Sequence, residues 1–325
     1  MELGVAFSSE ELGPNEIVRY AARAEEAGFT TGWVSDHFHP WIDAQGNSPF
    51  VWSVLGGIAT ATERIRFGTG VTCPTVRVHP AVIAQAAATT QCMFEGRFWL
   101  GVGSGEALNE HITGAKWPET RIRLEMLEEA IEVIRLLWKG ETASHYGKHY
   151  TVENARIYTL PETLPPIIVS AFGPASTEVA ARGGDGFVST KPDPELLAHY
   201  VRAGGRGPKL AQVKVAWAPS VRAAEDLAYE LWPTSGLVGE LSQELPTPAH
   251  FEQATQPLHR EDIVSSFPCG PDPGTHIEAI NKYRDAGYDE VYVTQVGPDQ
   301  EGFLQFYERE ILPAFAGEMR QARAS

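Results

Sequence analysis

The sequence predicts an α/β chain folded as a (β/α)8 (TIM) barrel with insertions, one domain over residues 1–325. Three observations point there. Eight short apolar runs alternate with longer amphipathic stretches along the chain. The 325 residues are about the length that eight strand–helix units occupy. Chemistry-bearing side chains gather just past the ends of the runs, where the loops of a barrel converge. A doubly wound parallel sheet shows the same alternation and is the alternative.

Leu3–Phe7 reads as the first strand. Pro14 opens a helix over Asn15–Ala27, with Ile17, Ala21, Ala24 and Ala27 on one stripe and Gly28 as the stop. Gly32–Val34 is the second strand, and Phe50–Thr62 the helix after it. Ile65–Thr69 is the third strand, followed by the Ala-rich helix Ala81–Phe94 behind Pro80. Phe98–Val102 is the fourth, and Pro118 starts a long helix to about Trp138. Two extended pieces, Ala143–His145 and His149–Val152, flank Tyr146-Gly147-Lys148 and predict a hairpin inserted at about 140–155. Ile167–Val169, Gly186–Ser189 and Val213–Trp217 are strands five to seven. The helices Ala175–Arg182, Pro194–Ala203 and Arg222–Leu231 follow them. Residues 232–273 hold many Pro and Gly and little periodicity, which marks a second insertion rather than a linker. Thr275–Ala286 is a helix, Glu290–Thr294 the eighth strand, and Gln300–Phe315 the last helix.

A hydrophobic fraction of 43% supports a barrel-sized core. The formal net charge of -16 disfavours nucleic acid and anionic membrane as partners. No apolar run approaches the roughly 20 residues of a membrane span. Cys73, Cys92 and Cys269 form neither a CxxC pair nor a metal-spaced set, so no metal and a reduced, cytoplasmic compartment are expected. The start, MELGVAFSSEELG, lacks the basic and apolar regions of a signal peptide.

The densest chemistry is Trp33-Val34-Ser35-Asp36-His37-Phe38-His39-Pro40-Trp41. Asp36 beside His37 can fix a tautomer and a ring orientation. His37 and His39 share a face of an extended backbone. In a barrel, three further clusters meet them at one mouth: Glu10, the Gly70-Val71 turn, and Gly103-Ser104-Gly105-Glu106 with Asn109. Glycine at 70 lets backbone approach a flat ring closely. The Gly101-x-Gly103-x-Gly105 run is not GxGxxG and follows the fourth strand, so it is no dinucleotide fingerprint. Ser170 to Ala175 opens a helix with small residues, which suits a phosphate. Thr190-Lys191 places one cation at the mouth. Each cluster also has a plainer reading, as a cap, a turn or a surface charge. The paired carboxylates Glu10 and Glu106 would equally serve a glycoside hydrolase, and a non-catalytic ligand-binding barrel is the simplest case.

In this order the motifs resemble the luciferase-like superfamily. They are most similar to its deazaflavin (coenzyme F420)-dependent branch, typified by F420-dependent glucose-6-phosphate dehydrogenase. The resemblance rests on Ser35-Asp36-His37-Phe38 with Pro40-Trp41, Pro80-Ala81-Val82-Ile83-Ala84-Gln85, Leu100 to Glu110, Gly173-Pro174-Ala175 and Gly184-Asp185-Gly186-Phe187, and thins past Thr190. It implies oxidation of a sugar, sugar phosphate or secondary alcohol with hydride transfer to F420. His37 would be the catalytic histidine beside the substrate hydroxyl. Trp41 would stack near the reacting carbons, Glu106 would be the partner acid near the pyrimidine end, and Glu10 a further proton-transfer group. Asp36, Gly70, Val71, Ser104, Gly105 and Asn109 would line the cofactor, with Gly70–Val71 a non-prolyl cis peptide. Gly173, Pro174 and Ala175 would hold its phosphate.

One departure is visible. The sugar-phosphate enzymes hold the substrate phosphate with two lysines and an arginine. Lys191 matches the first lysine, but Gln253 and Ser266 stand at the other two positions. Thr190, Lys191, Gln253 and His250 are then the expected substrate contacts, with Glu252, His259 and Arg260 shaping the pocket. An unphosphorylated sugar or another secondary alcohol fits as well as a phosphate ester. The resemblance also implies a homodimer. An FMN-dependent monooxygenase of the same superfamily is the rival, against which the Asp36-His37 and Gly105-Glu106 pairs speak.

Overall fold

Apolar runs become barrel strands where both faces are covered. In the computed structural model, which describes residues 1–322, ten strands form: β1 Glu2–Phe7, β2 Thr31–Val34, β3 Arg66–Thr69, β4 Phe98–Val102, β5 Ala143–Tyr146, β6 Thr151–Ala155, β7 Ile167–Ser170, β8 Gly186–Ser189, β9 Lys209–Val215 and β10 Glu290–Gln295. Eight of them close into a parallel barrel in the order β1-β10-β9-β8-β7-β4-β3-β2. Closure is explicit in the register. Val5 of β1 lies opposite Gly32 of β2 and also opposite Val293 of β10. A doubly wound sheet would leave two free edges, so that alternative falls.

Alternation along the strands sends one set of side chains inward. Ala6, Trp33, Trp99, Ile168, Val188, Leu210 and Tyr292 fill the middle of the barrel. Trp33 stacks on Tyr292 with centroids 4.3 Å apart. A Cβ on Gly68 would stand 2.1 Å from the Trp99 ring, so that indole occupies the place of a side chain on β3. Beneath this layer Arg66 pairs with Glu2 and Glu290, and Tyr292 donates to Glu290. The amino end is thereby plugged, and open chemistry is left to the carboxyl end.

The hairpin β5–β6 forms where expected and braces the site. Glu129, on the helix Thr120–Leu137, accepts from the amides of His149 and Tyr150 at 2.9 and 2.8 Å. The Tyr150 hydroxyl then donates to the carbonyl of Thr75 at 3.0 Å, in the loop after β3.

Three elements differ from the sequence reading. The seventh barrel strand begins at Lys209 and ends at Val215, not Val213–Trp217. Leu210 lies in the barrel interior, so Gln212 and Lys214 share its face, and these lumenal polar residues disguise the strand. Residues 232–273 carry more order than their composition signals, with helices Leu241–Glu244, Pro248–Thr255 and Arg260–Val264. Arg123 anchors the first of these. Its wholly buried side chain donates to Glu244 at 2.9 Å and to Gln243 at 2.8 Å. The last helix runs past Phe315 to Ala322 through a π-helical turn at Tyr307–Ile311. The expected domain reaches residue 325, and residues 323–325 lie outside the described residues.

Candidate active site

His37 leaves the end of β2 and meets Glu10, which leaves the end of β1. The two strands pair, so their loops rise side by side. His37 Nδ1 lies 3.1 Å from the carbonyl of His39, an acceptor only, so Nδ1 carries a hydrogen. Nε2 is the free nitrogen, and it faces Glu10 Oε1 at 3.3 Å. The other Glu10 oxygen accepts from Ser8 Oγ at 2.8 Å and Ser35 Oγ at 2.6 Å. Burial pushes the Glu10 carboxyl up, but the charge of His37 and the two hydroxyls outweigh it and hold the group below its usual range. Trp41 covers the imidazole with ring centroids 5.0 Å apart, and Phe251 meets Trp41 edge-on at 5.2 Å.

Beside this pair lies a cavity of about 330 Å3, within the range of small-molecule sites. One wall is the turn Gly103-Ser104-Gly105 with Glu106, and Val71 and Cys73 add an apolar side. Phe172 to Ser176 close the far end, at the start of the helix Pro174–Gly183. Gly105 has φ 82°, and a Cβ there would press on Cys73 Sγ at 2.4 Å, so glycine is required twice over. The amides of Phe172 and Gly173 turn to Ser176 Oγ, while those of Ala175 and Ser176 sit in the first turn, where a helix offers no acceptor.

A buried ion cluster underlies the cavity. Asp36 accepts from Arg77 Nη2 and Thr72 Oγ1, each at 2.8 Å. Glu110 accepts from the Arg77 amide at 2.6 Å, and its other oxygen lies 3.5 Å from Arg77 Nε. Burial, more than any other influence, pushes the Glu110 carboxyl up to about 7. Asn109 Oδ1 receives the amides of Phe38 and His39 at 2.9 and 3.3 Å, which ties the β2 loop to the loop after β4.

The chain as a whole has known relatives. The family model for luciferase-like monooxygenases matches residues 1–290. The chain belongs to that family. Within it, the chain is 38% identical to the F420-dependent glucose-6-phosphate dehydrogenase of Microbacterium testaceum (strain StLB037), over 96% of this chain and 97% of that protein. It is 37% identical to the enzyme of the same name from Nocardia farcinica (strain IFM 10152), with the same coverage. A solved F420-dependent secondary alcohol dehydrogenase, in complex with an F420–acetone adduct, superimposes with a TM-score of 0.89. It is 26% identical to this chain and covers 96% of it and 98% of its own length.

In this luciferase-like barrel the expected residues fall into three groups. Asp36, Val71, Ser104, Gly105, Glu106, Asn109, Gly173, Pro174 and Ala175 all line the cavity. His37, Trp41 and Glu10 form the adjoining cluster. Gly70 does not line the cavity. Its peptide with Val71 is cis, and its missing side chain makes room for Trp33, whose ring a Cβ would approach to 2.7 Å. The flat ring it approaches therefore belongs to the protein.

The expected substrate contacts fall on exposed positions. His250 and Gln253 are exposed on the helix Pro248–Thr255, and His250 pairs with Thr247 Oγ1 at 2.6 Å. Phe251, between them, faces inward. Thr190 and Lys191 are exposed, and Tyr283 and Tyr288 hold their backbone carbonyls at 2.9 and 2.7 Å. Ser266 donates to the carbonyl of Ile263 at 2.6 Å.

Sequence reasoning missed three residues here. Arg77 carries no motif signal. Lys214 is hidden in β9, at the mouth end of the barrel interior. Glu11 accepts from the Trp232 indole at 2.6 Å and the Gly297 amide at 2.7 Å, and burial pushes it up to about 7.

Proposed function

We propose that this chain oxidises a substrate hydroxyl to a carbonyl, with coenzyme F420 accepting the hydride. The observation that carries the reading is the His37–Glu10 pair, set beside a cavity walled by small residues and backbone. Similarity to F420-dependent sugar-phosphate and secondary alcohol dehydrogenases supports it over nearly the whole chain.

The cavity fits a deazaflavin with a phosphate-bearing tail. Gly103, Ser104 and Gly105 offer backbone at one wall, and Val71, packed against Gly103, an apolar surface beside it. Glu106 and Asn109 would meet the polar edge of the ring. Gly173, Pro174 and Ala175 would sit at the phosphate, where the helix start favours an anion. A Cβ at Gly173 would meet no atom within 4 Å, so the space beside that helix start is open. When bound, F420 supplies a ring carbon that takes up hydride.

The protein's part is to position the hydroxyl and manage one proton. With His37 neutral and Glu10 ionised, the lone pairs of Nε2 and Oε1 face each other. A substrate hydroxyl donating to Nε2 relieves that repulsion. As hydride departs, Nε2 takes the hydroxyl proton, and Glu10 stabilises the resulting imidazolium. Trp41 and Phe251 shield this exchange from water on the outer side. The ionised state of Glu10 suits this role.

Cytoplasmic location and a homodimer complete the proposal; cysteine usage supports the first and the family resemblance the second. Among the described residues no helix is long and apolar enough to cross a membrane. Sedimentation velocity decides the oligomeric state. The cofactor assignment is tested by fluorescence titration of the purified protein with F420 and, separately, FMN. F420 is expected to bind at least about tenfold more tightly, a difference of about 1.4 kcal/mol. Preference for FMN would replace the dehydrogenase reading with a monooxygenase.

A further inference from the structure

The barrel interior is apolar at its middle layer, yet β9 sends a lysine into the layer above. Alternation places Lys214 on the same face as Leu210, and its neighbour across the ladder is Thr294. The ammonium lies 3.7 Å from the centroid of the Trp232 ring. Among the described residues it has no hydrogen-bond acceptor and no carboxylate within 4.0 Å. An ammonium carries three N–H donors, and an aromatic face leaves most of that capacity unspent. Burial pushes this amine down to about 8, while Glu10 and Glu11 act in the opposite direction.

Its surroundings belong to the substrate side of the mouth. Trp232 belongs to an apolar cluster against which Trp41, the ring that covers His37, also packs. Glu11 receives the Trp232 indole hydrogen. Trp41, partly exposed, thus joins the apolar cluster of Trp232 to that of Phe251, two buried rings from the segment 232–273.

We propose that Lys214 is the substrate-positioning residue of the site, and that it donates to an oxygen of a neutral polyhydroxylated substrate, next to the hydroxyl served by His37 and Glu10. This rests on the dehydrogenase reading above and narrows its substrate class. A hydroxyl group suits the place because it accepts from the ammonium and donates to a neighbouring carboxylate. A sugar ring also presents an apolar C–H face to the partly exposed Trp41 ring. A phosphate dianion suits it poorly. It would lie near Glu10 and Glu11 with one interior cation to offset three groups. Lys191 is exposed, and Gln253 and Ser266 carry no charge.

The test is calorimetric titration of the protein loaded with reduced F420, so that no turnover intervenes. The probes are glucose and glucose 6-phosphate, and the proteins are the wild type, Lys214→Met and Lys214→Arg. The wild type is expected to bind glucose more tightly than its phosphate. Lys214→Met should weaken glucose binding about tenfold or more, as loss of a charged hydrogen bond does, and Lys214→Arg should restore part of it. F420 affinity should stay within about twofold in all three, which reports an intact fold. Equal glucose binding by wild type and Lys214→Met would overturn the assignment. So would tighter binding of the phosphate ester, or no binding of glucose by the wild type. Failure of F420 to bind would instead remove the cofactor reading, and the same sugar titrations on the protein alone would still decide the role of Lys214.

Discussion

Replacing His37 with alanine is expected to lower turnover by about a hundred- to ten-thousandfold and to leave F420 affinity nearly unchanged. The separation follows from geometry. His37 belongs to the Glu10–Trp41 cluster and does not line the cavity, whose walls come mainly from the loops after β3, β4 and β7, with Asp36 added from the loop of His37 itself. Its ring is fixed by the Nδ1 bond to the His39 carbonyl, so Nε2 is the nitrogen that works. Alanine removes that base and also leaves the Glu10 carboxylate buried without the imidazole, its side-chain hydrogen bonds then coming from Ser8 and Ser35. The second effect has a sign. The folded-state pKa of Glu10 is lowered, so its contribution to stability is present above the ordinary carboxylate value and is lost as pH falls through the folded value. The variant should therefore melt earlier than wild type where the imidazole is charged and Glu10 is ionised, with the gap narrowing as acid protonates Glu10. Single-turnover loss of F420 fluorescence reads the first effect, and thermal melts at two pH values read the second. Unchanged turnover would remove His37 from the chemistry.

Much of this site was legible because barrel chemistry sits at strand ends, and strand ends are local features of sequence. Asp36, His37, Glu106 and Asn109 each follow an apolar run by a few residues, and the fold only had to bring the runs together. What stayed hidden depends on side-chain direction or on long-range pairing. His250 and Gln253 are three apart on one helix and share its outer face; Phe251 and Thr255, four apart, form the inner one. That spacing was readable once a helix was assigned, but Pro and Gly nearby masked the helix itself. Lys214 was missed for the opposite reason. A charged residue in a strand reads as solvent-facing or as a strand boundary, whereas here it faces the lumen. Arg77 bridges residues 41 positions before it and 33 after it, and no local pattern carries such a triad.

That triad sets the second large effect. Arg77→Met is expected to destabilise the protein by about 3–5 kcal/mol near neutral pH, because it strands two buried carboxylates. The side chains of Arg77, Asp36 and Glu110 are 7%, 2% and 0% exposed. Asp36 would keep only the Thr72 hydroxyl, and Glu110 only the amides of Val76 and residue 77. Glu110 already stands at about 7 with the guanidinium present, since burial outweighs its attraction. Without Arg77 the carboxyl moves higher still. A folded-state pKa above the unfolded one means that stability is fully present in acid and is lost as pH rises through the folded value. The deficit of the variant should thus be smaller near pH 5 than near pH 8, which urea denaturation at both values would read. A deficit independent of pH would show that Arg77 acts through packing alone. Adding Glu110→Gln to Arg77→Met removes one stranded charge and should recover part of the loss, chiefly at the higher pH. The recovery, set against Glu110→Gln alone, gives the coupling between the two side chains. Because Asp36 and Glu110 both line the cavity, the same comparison by F420 titration distinguishes a triad that only holds the wall from one whose charge the cofactor also meets.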